Sequence, residues 1–389
     1  MTSIESPAIE PAAFAEALAG IGVDVYAGVP DSLLAPLTDH LDATLDARHF
    51  WITANEGNAV GLAAGHYLAT GRPACVFTQN AGLGNTVNPL LSLMDEAVYR
   101  LPMLLVVGWR GEPGVPDEPQ HAAQGAVTLP LLETLGIEYA ILQGACWRAQ
   151  VAAAGAHLIR TEQPYALVVR KGAFAAADAP SRTSRYPMTR EQALATILDG
   201  IGADAVVVAT TGKASREIFE LRERAGAGHA RDFLTVGAMG HASSIALGVS
   251  LGTDAPVWCL DGDGSCLMHL GAAAVVAQGA PASLRYVVID NGAHESVGGA
   301  PTLGFAIDLP AVLRGLGFAP VRTAEDPAGL AAAVAALRAE GGALVVYTGL
   351  GARADLGRPT VRPQDNKAAF MATLAGRRNA PHGTRACGR

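Results

Sequence analysis

Charge is scarce in this chain: 16% of its 389 residues are Asp, Glu, Lys or Arg, against 50% that are hydrophobic. A chain of that balance buries apolar surface on folding, which excludes a disordered polymer and fits a compact α/β protein. A surplus of positive charge is missing too. The net charge is -8 and the pI near 5.7, so nucleic acid is excluded as the main partner, while a local basic pocket for a small anion stays open. The five cysteines (Cys75, Cys146, Cys259, Cys266 and Cys387) form no CxxC pair, and three of them lie in or beside apolar runs. Buried free thiols in a reducing compartment are expected, with no cysteine metal site. No uninterrupted apolar stretch reaches the roughly 18 residues that suggest a membrane span. Residues Met1 to Glu10 are acidic and contain proline, without the basic segment and apolar core of a signal peptide. A cytoplasmic protein with no membrane partner is expected. Low-complexity tracts and short-period repeats are also lacking.

The length exceeds that of one ordinary domain and suggests two. Short runs rich in β-formers at 23–27, 50–53, 74–78, 103–108 and 166–170 alternate with helical patterns at 33–45, 57–69, 86–98 and 147–159. That alternation predicts a parallel sheet covered on both faces. The stretch 172–187, rich in Ala, Asp, Pro, Ser and Arg, has no apolar period and reads as a linker. A second alternation follows, with strands at 205–209, 257–260, 284–290 and 343–347 and helices near 190–201, 215–225, 241–251, 267–278 and 327–339. The expected organisation is a first domain over 1–175, a linker at 176–188, a second domain over 189–375 and a disordered tail at 376–389. The two domains could be structural relatives without visible sequence identity.

Two segments carry most of the chemistry. Val257-Trp258-Cys259-Leu260 runs into Asp261-Gly262-Asp263-Gly264-Ser265 and then a helix, the strand end that brings backbone N–H groups to a phosphate while glycines allow close approach. Asp263 would face that phosphate, and two anions attract only through a cation, so Mg²⁺ or a similar hard ion is implied. Asp290-Asn291-Gly292 ends the next expected strand. In a parallel sheet both strand ends open on one edge, where the Asn291 amide oxygen and the Ala293 carbonyl could complete the coordination. Taken alone, Gly262-Asp263-Gly264 reads better as a tight turn, and it is Asn291 at the next strand end that favours the metal-diphosphate reading. The second segment is Thr53-Ala54-Asn55-Glu56-Gly57-Asn58-Ala59, a lone carboxylate at a helix start that could touch an otherwise apolar ligand, or simply favour the helix dipole.

The GDG turn followed by Asn291 resembles the signature of thiamine-diphosphate-dependent enzymes, in which Asp and Asn hold the metal. The resemblance implies two thiamine-diphosphate-binding domains of doubly wound parallel sheet, thiamine diphosphate and Mg²⁺ as cofactors, and Asp263, Asn291 and Ala293 at the metal. It gives Glu56 the role of hydrogen-bonding the aminopyrimidine ring and promoting its imino tautomer, which suits a buried carboxylate of raised proton affinity. Val236-Gly237-Ala238-Met239-Gly240 resembles the segment whose Gly carbonyl and bulky side chain hold the cofactor, hence Gly237 and Met239; otherwise Met239 is core packing. Thr210-Thr211-Gly212-Lys213 resembles the diphosphate-contacting segment, which adds Gly212 and Lys213 to Gly262, Gly264 and Ser265, with a surface-loop lysine as the alternative.

Further segments narrow the resemblance. Gly28-Val29-Pro30-Asp31-Ser32, the run from Gln79 to Asn85, Asp117-Glu118-Pro119-Gln120-His121, Val169-Arg170-Lys171-Gly172 and Asp290-Asn291-Gly292-Ala293-His294-Glu295-Ser296 resemble phosphonopyruvate decarboxylases and, nearly as well, sulfopyruvate decarboxylases. The linker is too short to hide the middle domain of pyruvate decarboxylases, and Val297 stands where those enzymes place a catalytic Glu. The implied reaction is non-oxidative decarboxylation of 3-phosphonopyruvate, a 2-keto acid, to phosphonoacetaldehyde and CO₂ in phosphonate biosynthesis. Asp31 and His121 are the candidates for proton transfer, although Asp31 also suits a helix N-cap and His121 a solvated loop. His294 and Glu295, just past the metal loop, are expected to reach the site. The resemblance implies a homodimer or higher homo-oligomer with the active site at the subunit interface. A nicotinamide dehydrogenase is the rival from another class. It calls for GxGxxG, and Gly82-Leu83-Gly84-Asn85-Thr86-Val87 lacks the third glycine. A non-catalytic protein that kept the fold is a third reading.

Overall fold

A computed structural model of the chain describes residues 7–176, 183–375 and 377. It divides into two compact units, one from Met1–Ser181 with Ser296–Pro301 and the other from Arg182–Glu295 with Thr302–Arg389. Of the expected linker, residues 177–182 lie outside the described residues, as does the expected tail apart from Arg377.

The first unit contains strands β1 (Tyr26–Gly28), β2 (Phe50–Ile52), β3 (Cys75–Gln79), β4 (Leu104–Gly108), β5 (Glu138–Ile141) and β6 (Tyr165–Val169). All pair in parallel, in the order β2-β1-β3-β4-β6-β5. Its helices are α1 (Pro11–Gly20), α2 (Ala35–Thr44), α3 (Glu56–Thr70), α4 (Leu83–Pro89), α5 (Pro119–Thr134) and α6 (Trp147–Thr161). Because successive strand side chains alternate in direction, Leu104 and Val106 join Phe14, Leu37 and Val151 from α1, α2 and α6. Leu105 and Val107 face the other way, toward Ala59, Leu83 and Leu132 from α3, α4 and α5. Both faces of the sheet are therefore buried, and each fully covered Leu or Val contributes about 1.5–3 kcal/mol.

The second unit repeats the plan. Its strands are β7 (Val206–Ala209), β8 (Asp232–Leu234), β9 (Val257–Gly262), β10 (Leu284–Asp290) and the two-residue β11 (Ala293–His294), then, beyond β12 (Ala300–Pro301) in the segment counted with the first unit, β13 (Val321–Ala324) and β14 (Gly342–Tyr347). The sheet order is β13-β14-β10-β9-β7-β8. Counted from the N-terminus, its six strands stand in the same order as those of the first unit. Helices α7 (Arg190–Gly200), α8 (Lys213–Arg224) and α13 (Pro327–Glu340) cover one face. The other is covered by α9 (Ala242–Ser250), α10 (Asp263–Met268), α11 (Leu270–Gly279), α12 (Leu309–Leu316) and α14 (Pro363–Ala375). In both sheets the first and third strands are neighbours whose following helices lie on opposite faces. Such a switch point opens a crevice at the carboxyl ends of those strands.

Several elements differ from the sequence expectation. The helix expected over 86–98 is instead α4 followed by a π-helical turn, Leu90–Met94, that ends at Asp95. That expected over 267–278 is interrupted at His269, whose φ of -131° and ψ of 52° separate α10 from α11. Strands β5, β8 and β13 are not among those the sequence predicts; each is a sheet edge only three or four residues long that carries a charged residue. Helices α1, α5, α12 and α14 are not among the predicted elements either. Cys75, Cys259 and Cys266 are buried free thiols, whereas Cys146 is exposed; Cys387 lies outside the described residues. Among the described residues no helix is long and apolar enough to cross a membrane.

Close backbone packing fixes the mouth of the first sheet. Gly125 of α5 lies against the backbone of Gly111, so that a Cβ on Gly125 would overlap the Gly111 carbonyl, and the Gly125 carbonyl accepts from Trp109 Nε1 at 2.9 Å. Gly125→Ala is expected to destabilise the protein by about 1–3 kcal/mol. Gly65→Ala, in open space on α3, is expected to stabilise it by roughly 0.5–1 kcal/mol. Urea unfolding of the two variants beside the parent checks both, and equal midpoints would contradict the packing argument.

Candidate active site residues

In the first unit the functional side chains lie at the carboxyl ends of the strands. Asn55, in extended conformation, caps α3 by accepting from Gly57 N at 2.7 Å, which places Glu56 in the first turn. Glu56 is 5% exposed, and its Oε2 accepts from Asn85 Nδ2 at 2.7 Å. Gly82 has no side chain for a reason: a Cβ there would overlap both Glu56 Oε1 and Thr78 Oγ1. Burial pushes the Glu56 carboxyl above the usual range, and the Asn85 bond opposes this only in part. The helix dipole alone does not account for a carboxyl so enclosed.

Asp31 follows β1 and is completely buried. It accepts from Gln79 Nε2 at 2.7 Å, across the switch point at the end of β3, and from Leu33 N at 3.1 Å. It is not the N-cap of α2, a place taken by Leu34. Burial raises its proton affinity, opposed by the Gln79 bond and more weakly by the charge of Arg110. A Cβ on Gly108 would overlap Asp31 Oδ2, so the end of β4 must be side-chain-free there. His121 lies in the first turn of α5 and is buried rather than solvated. Its Nδ1 has no hydrogen-bond partner among the described residues. Burial, then the charge of Arg110, holds its imidazole below the ordinary histidine range. Arg110 is fixed by Asp117 through Nε at 2.8 Å and by Ser32 Oγ through Nη1 at 3.0 Å. Burial thus favours the uncharged form of both Asp31 and His121.

In the second unit the register sets Gly262 opposite Ile289, bringing Asp263 and the Asp290-Asn291 pair together at one strand edge. Asp263 is 3% exposed, opens α10 and accepts from Thr302 Oγ1. A Cβ on Gly304 would crowd both Asp263 Oδ2 and Asp290 Oδ1. Burial, then the neighbouring Asp290 charge, pushes Asp263 well above the carboxylate range, while burial raises Asp290 as well. Asp290 Oδ2 is buried without a hydrogen-bond partner. Two crowded carboxyls with an orphaned oxygen are relieved by a hard cation. Among the described residues no group of three His, Cys, Asp or Glu is arranged for a metal. The donor set expected from the sequence is a mixed one, the Asp263 carboxylate, the Asn291 amide oxygen and the Ala293 carbonyl, all of which are hard oxygen donors.

The other expected residues surround the β7 and β9 ends. Gly212, with φ of 93° and ψ of -146°, turns the chain into α8, which begins at Lys213 without a side-chain cap. That leaves amide N–H groups for an anion. Ser265 Oγ accepts from Thr210 Oγ1 and from Gly240 N, both at 3.0 Å, tying the GDG turn to the segment with half-buried Gly237 and Met239. Gly262 precedes α10 in extended conformation. The His294 ring packs over Gly264, where a Cβ would stand 2.8 Å from Cε1, and burial holds its imidazole near 4. His294 therefore reaches the turn as a neutral ring. Glu295 turns back toward Arg190. Sequence reasoning did not assign Asn85, Gln79, Arg110 or Thr302. The first two lie in a polar run straight after a buried strand, which is a usable signal; Arg110 and Thr302 carry none.

Residues 11–129 match the N-terminal TPP binding domain of thiamine pyrophosphate enzymes, and residues 210–348 match their C-terminal TPP binding domain. A phosphonopyruvate decarboxylase of Streptomyces viridochromogenes is 38% identical over 376 residues, covering 91% of this chain and 92% of that protein. Another, from Streptomyces hygroscopicus, is 39% identical over 368 residues, covering 90% of each chain. A sulfopyruvate decarboxylase of Methanosarcina acetivorans is 32% identical over 278 residues, covering 65% of this chain and 69% of that protein. With both binding domains matched and such relatives spanning nearly its whole length, the chain belongs to the thiamine pyrophosphate enzyme family.

Proposed function

We propose that this protein is a carboxy-lyase that uses thiamine diphosphate and Mg²⁺ to decarboxylate 3-phosphonopyruvate to phosphonoacetaldehyde and CO₂. The observation that carries this reading is 38% and 39% identity to two phosphonopyruvate decarboxylases across at least 90% of the chain. Sulfopyruvate decarboxylation is the competing outcome, supported by a less similar relative over a smaller share of the chain.

Thiamine diphosphate, when bound, supplies the electron sink for loss of CO₂ from a 2-keto acid. The chain's own residues bind, orient and move protons. Glu56, a buried carboxyl of raised proton affinity, shares a proton with the cofactor's pyrimidine ring. Asp263, Asn291 and Ala293 would hold Mg²⁺, Gly212, Lys213, Gly262, Gly264 and Ser265 would receive the diphosphate, and Gly237 and Met239 would hold the rest of the cofactor. Asp31, whose burial raises its proton affinity, and His121, whose burial lowers it, are the groups proposed for proton transfer. The substrate's phosphonate calls for cations and N–H donors. Arg110, which Asp117 orients close to Asp31, is the cation we assign to it. The family resemblance supports a homodimer, or a multiple of it, with the active site at the subunit interface. A cytoplasmic location agrees with the free buried thiols.

Purified enzyme supplied with thiamine diphosphate and Mg²⁺ is expected to release CO₂ from 3-phosphonopyruvate faster than from sulfopyruvate, and to stop when EDTA removes the metal. Glu56→Ala should lower turnover by about 10²–10⁴-fold. Preference for sulfopyruvate would overturn the substrate assignment, and unchanged turnover in the variant would overturn the role of Glu56.

A second expectation concerns stability without cofactor. The folded state holds the Glu56 proton more tightly than the unfolded chain does. Its contribution is therefore fully favourable below the unfolded carboxyl's value and declines as pH rises through the folded one. Glu56→Gln removes that decline. Melting temperatures of the apo proteins should show the variant ahead at pH 8, with the gap closing on acidification; a gap independent of pH would contradict the burial of a titrating carboxyl.

A further inference from the structure

We propose that Glu295 is a positioning residue that orients the Asn291 amide so that its oxygen is presented to the metal, an inference that rests on the cofactor reading above. An asparagine amide can ligate a hard cation through oxygen alone, so a flipped Asn291 would lose the ligand without moving the backbone. Two contacts define its orientation. Ala293 N, which can only donate, bonds Asn291 Oδ1 at 3.1 Å, and Asn291 Nδ2 donates to Glu295 Oε2 at 3.3 Å. A carboxylate can only accept, so the reversed amide would set oxygen against oxygen. Oδ1 keeps a second lone pair for the cation.

Glu295 is itself held rigidly. Its Oε2 also accepts from Arg190 Nη1 at 2.6 Å, and its Oε1 accepts from Gly351 N at 2.9 Å and Ala352 N at 2.8 Å. Arg190 opens α7 and spends the rest of its planar fork on Glu217 of α8, through Nε at 2.7 Å and Nη2 at 2.8 Å. The Glu217 side chain is 1% exposed and that of Arg190 10% exposed. The chain of contacts runs from a helix-to-helix ion pair through Glu295 to the metal loop. Only Arg provides this geometry, since Lys lacks the fork. Partners behind metal ligands typically tune affinity by roughly 10–100-fold.

The test is Mg²⁺ titration of the full-length apo protein with saturating thiamine diphosphate, followed by near-ultraviolet circular dichroism rather than turnover. Glu295→Gln, whose amide can pair with either end of Asn291, is expected to weaken Mg²⁺ binding about 10–100-fold, and Arg190→Lys to weaken it in the same direction. Either variant keeps the test alive should the other fail to fold. In an Asn291→Asp background both side-chain oxygens can ligate, so adding Glu295→Gln should bring no further loss. Parent-like Mg²⁺ affinity in both single variants overturns the positioning role, as does an equal loss in the Asn291→Asp background, which would mean general loosening of the loop. Failure of the parent to bind thiamine diphosphate in a Mg²⁺-dependent way overturns the cofactor reading itself.

Discussion

The constraint on which the rest of the structure depends is the burial of both faces of a parallel sheet. Once helices cover each face, polar side chains can gather only at strand ends, and the order of the strands decides where those ends are left open. In each unit the first and third strands lie side by side while their helices depart to opposite faces. Asp31 and Gln79 meet across that gap in one sheet, and Thr210 and Ser265 across it in the other. The chemistry differs while the architecture that exposes it is shared.

Buried charge is then handled differently in the two units. The first isolates its carboxyls: Glu56 has one amide partner and Asp31 an amide and a backbone N–H, so each favours its proton. The second crowds Asp263 against Asp290, an arrangement with little to recommend it unless a cation resides there. Elsewhere that unit pairs a buried carboxylate with a cation, as with Arg222 and Asp232, joined through bonds of 2.9 Å. The Asp263 edge has two buried carboxyls side by side instead.

Much of this was legible in the sequence because it is local. A buried strand running into Asp261-Gly262-Asp263-Gly264, an Asn at the next strand end, and a Glu behind an Asn cap each announce themselves within a few residues. Central strands were visible as apolar runs. The edge strands β5, β8 and β13 were not, since each is three or four residues long and interrupted by a charged residue, and the break at His269 leaves no trace in the helical period of its neighbours. What stayed hidden is long-range. The Asn85 bond to Glu56 spans 29 positions and that of Thr302 to Asp263 spans 39; no periodicity encodes such pairs. The fold class followed from alternation, while the titration behaviour of the site needed the third dimension.

Gly82 and Gly108 give the first unit a weakness of an unusual kind. Each stands where a single methyl group would collide with a carboxyl, Glu56 in one case and Asp31 in the other. Neither glycine holds a proton, a metal or a substrate. When natural sequence variants of this protein are sorted into harmful and harmless, an alanine at either position would pass any screen that scores reactive groups, yet it would push a carboxyl out of the place that its burial and partners give it.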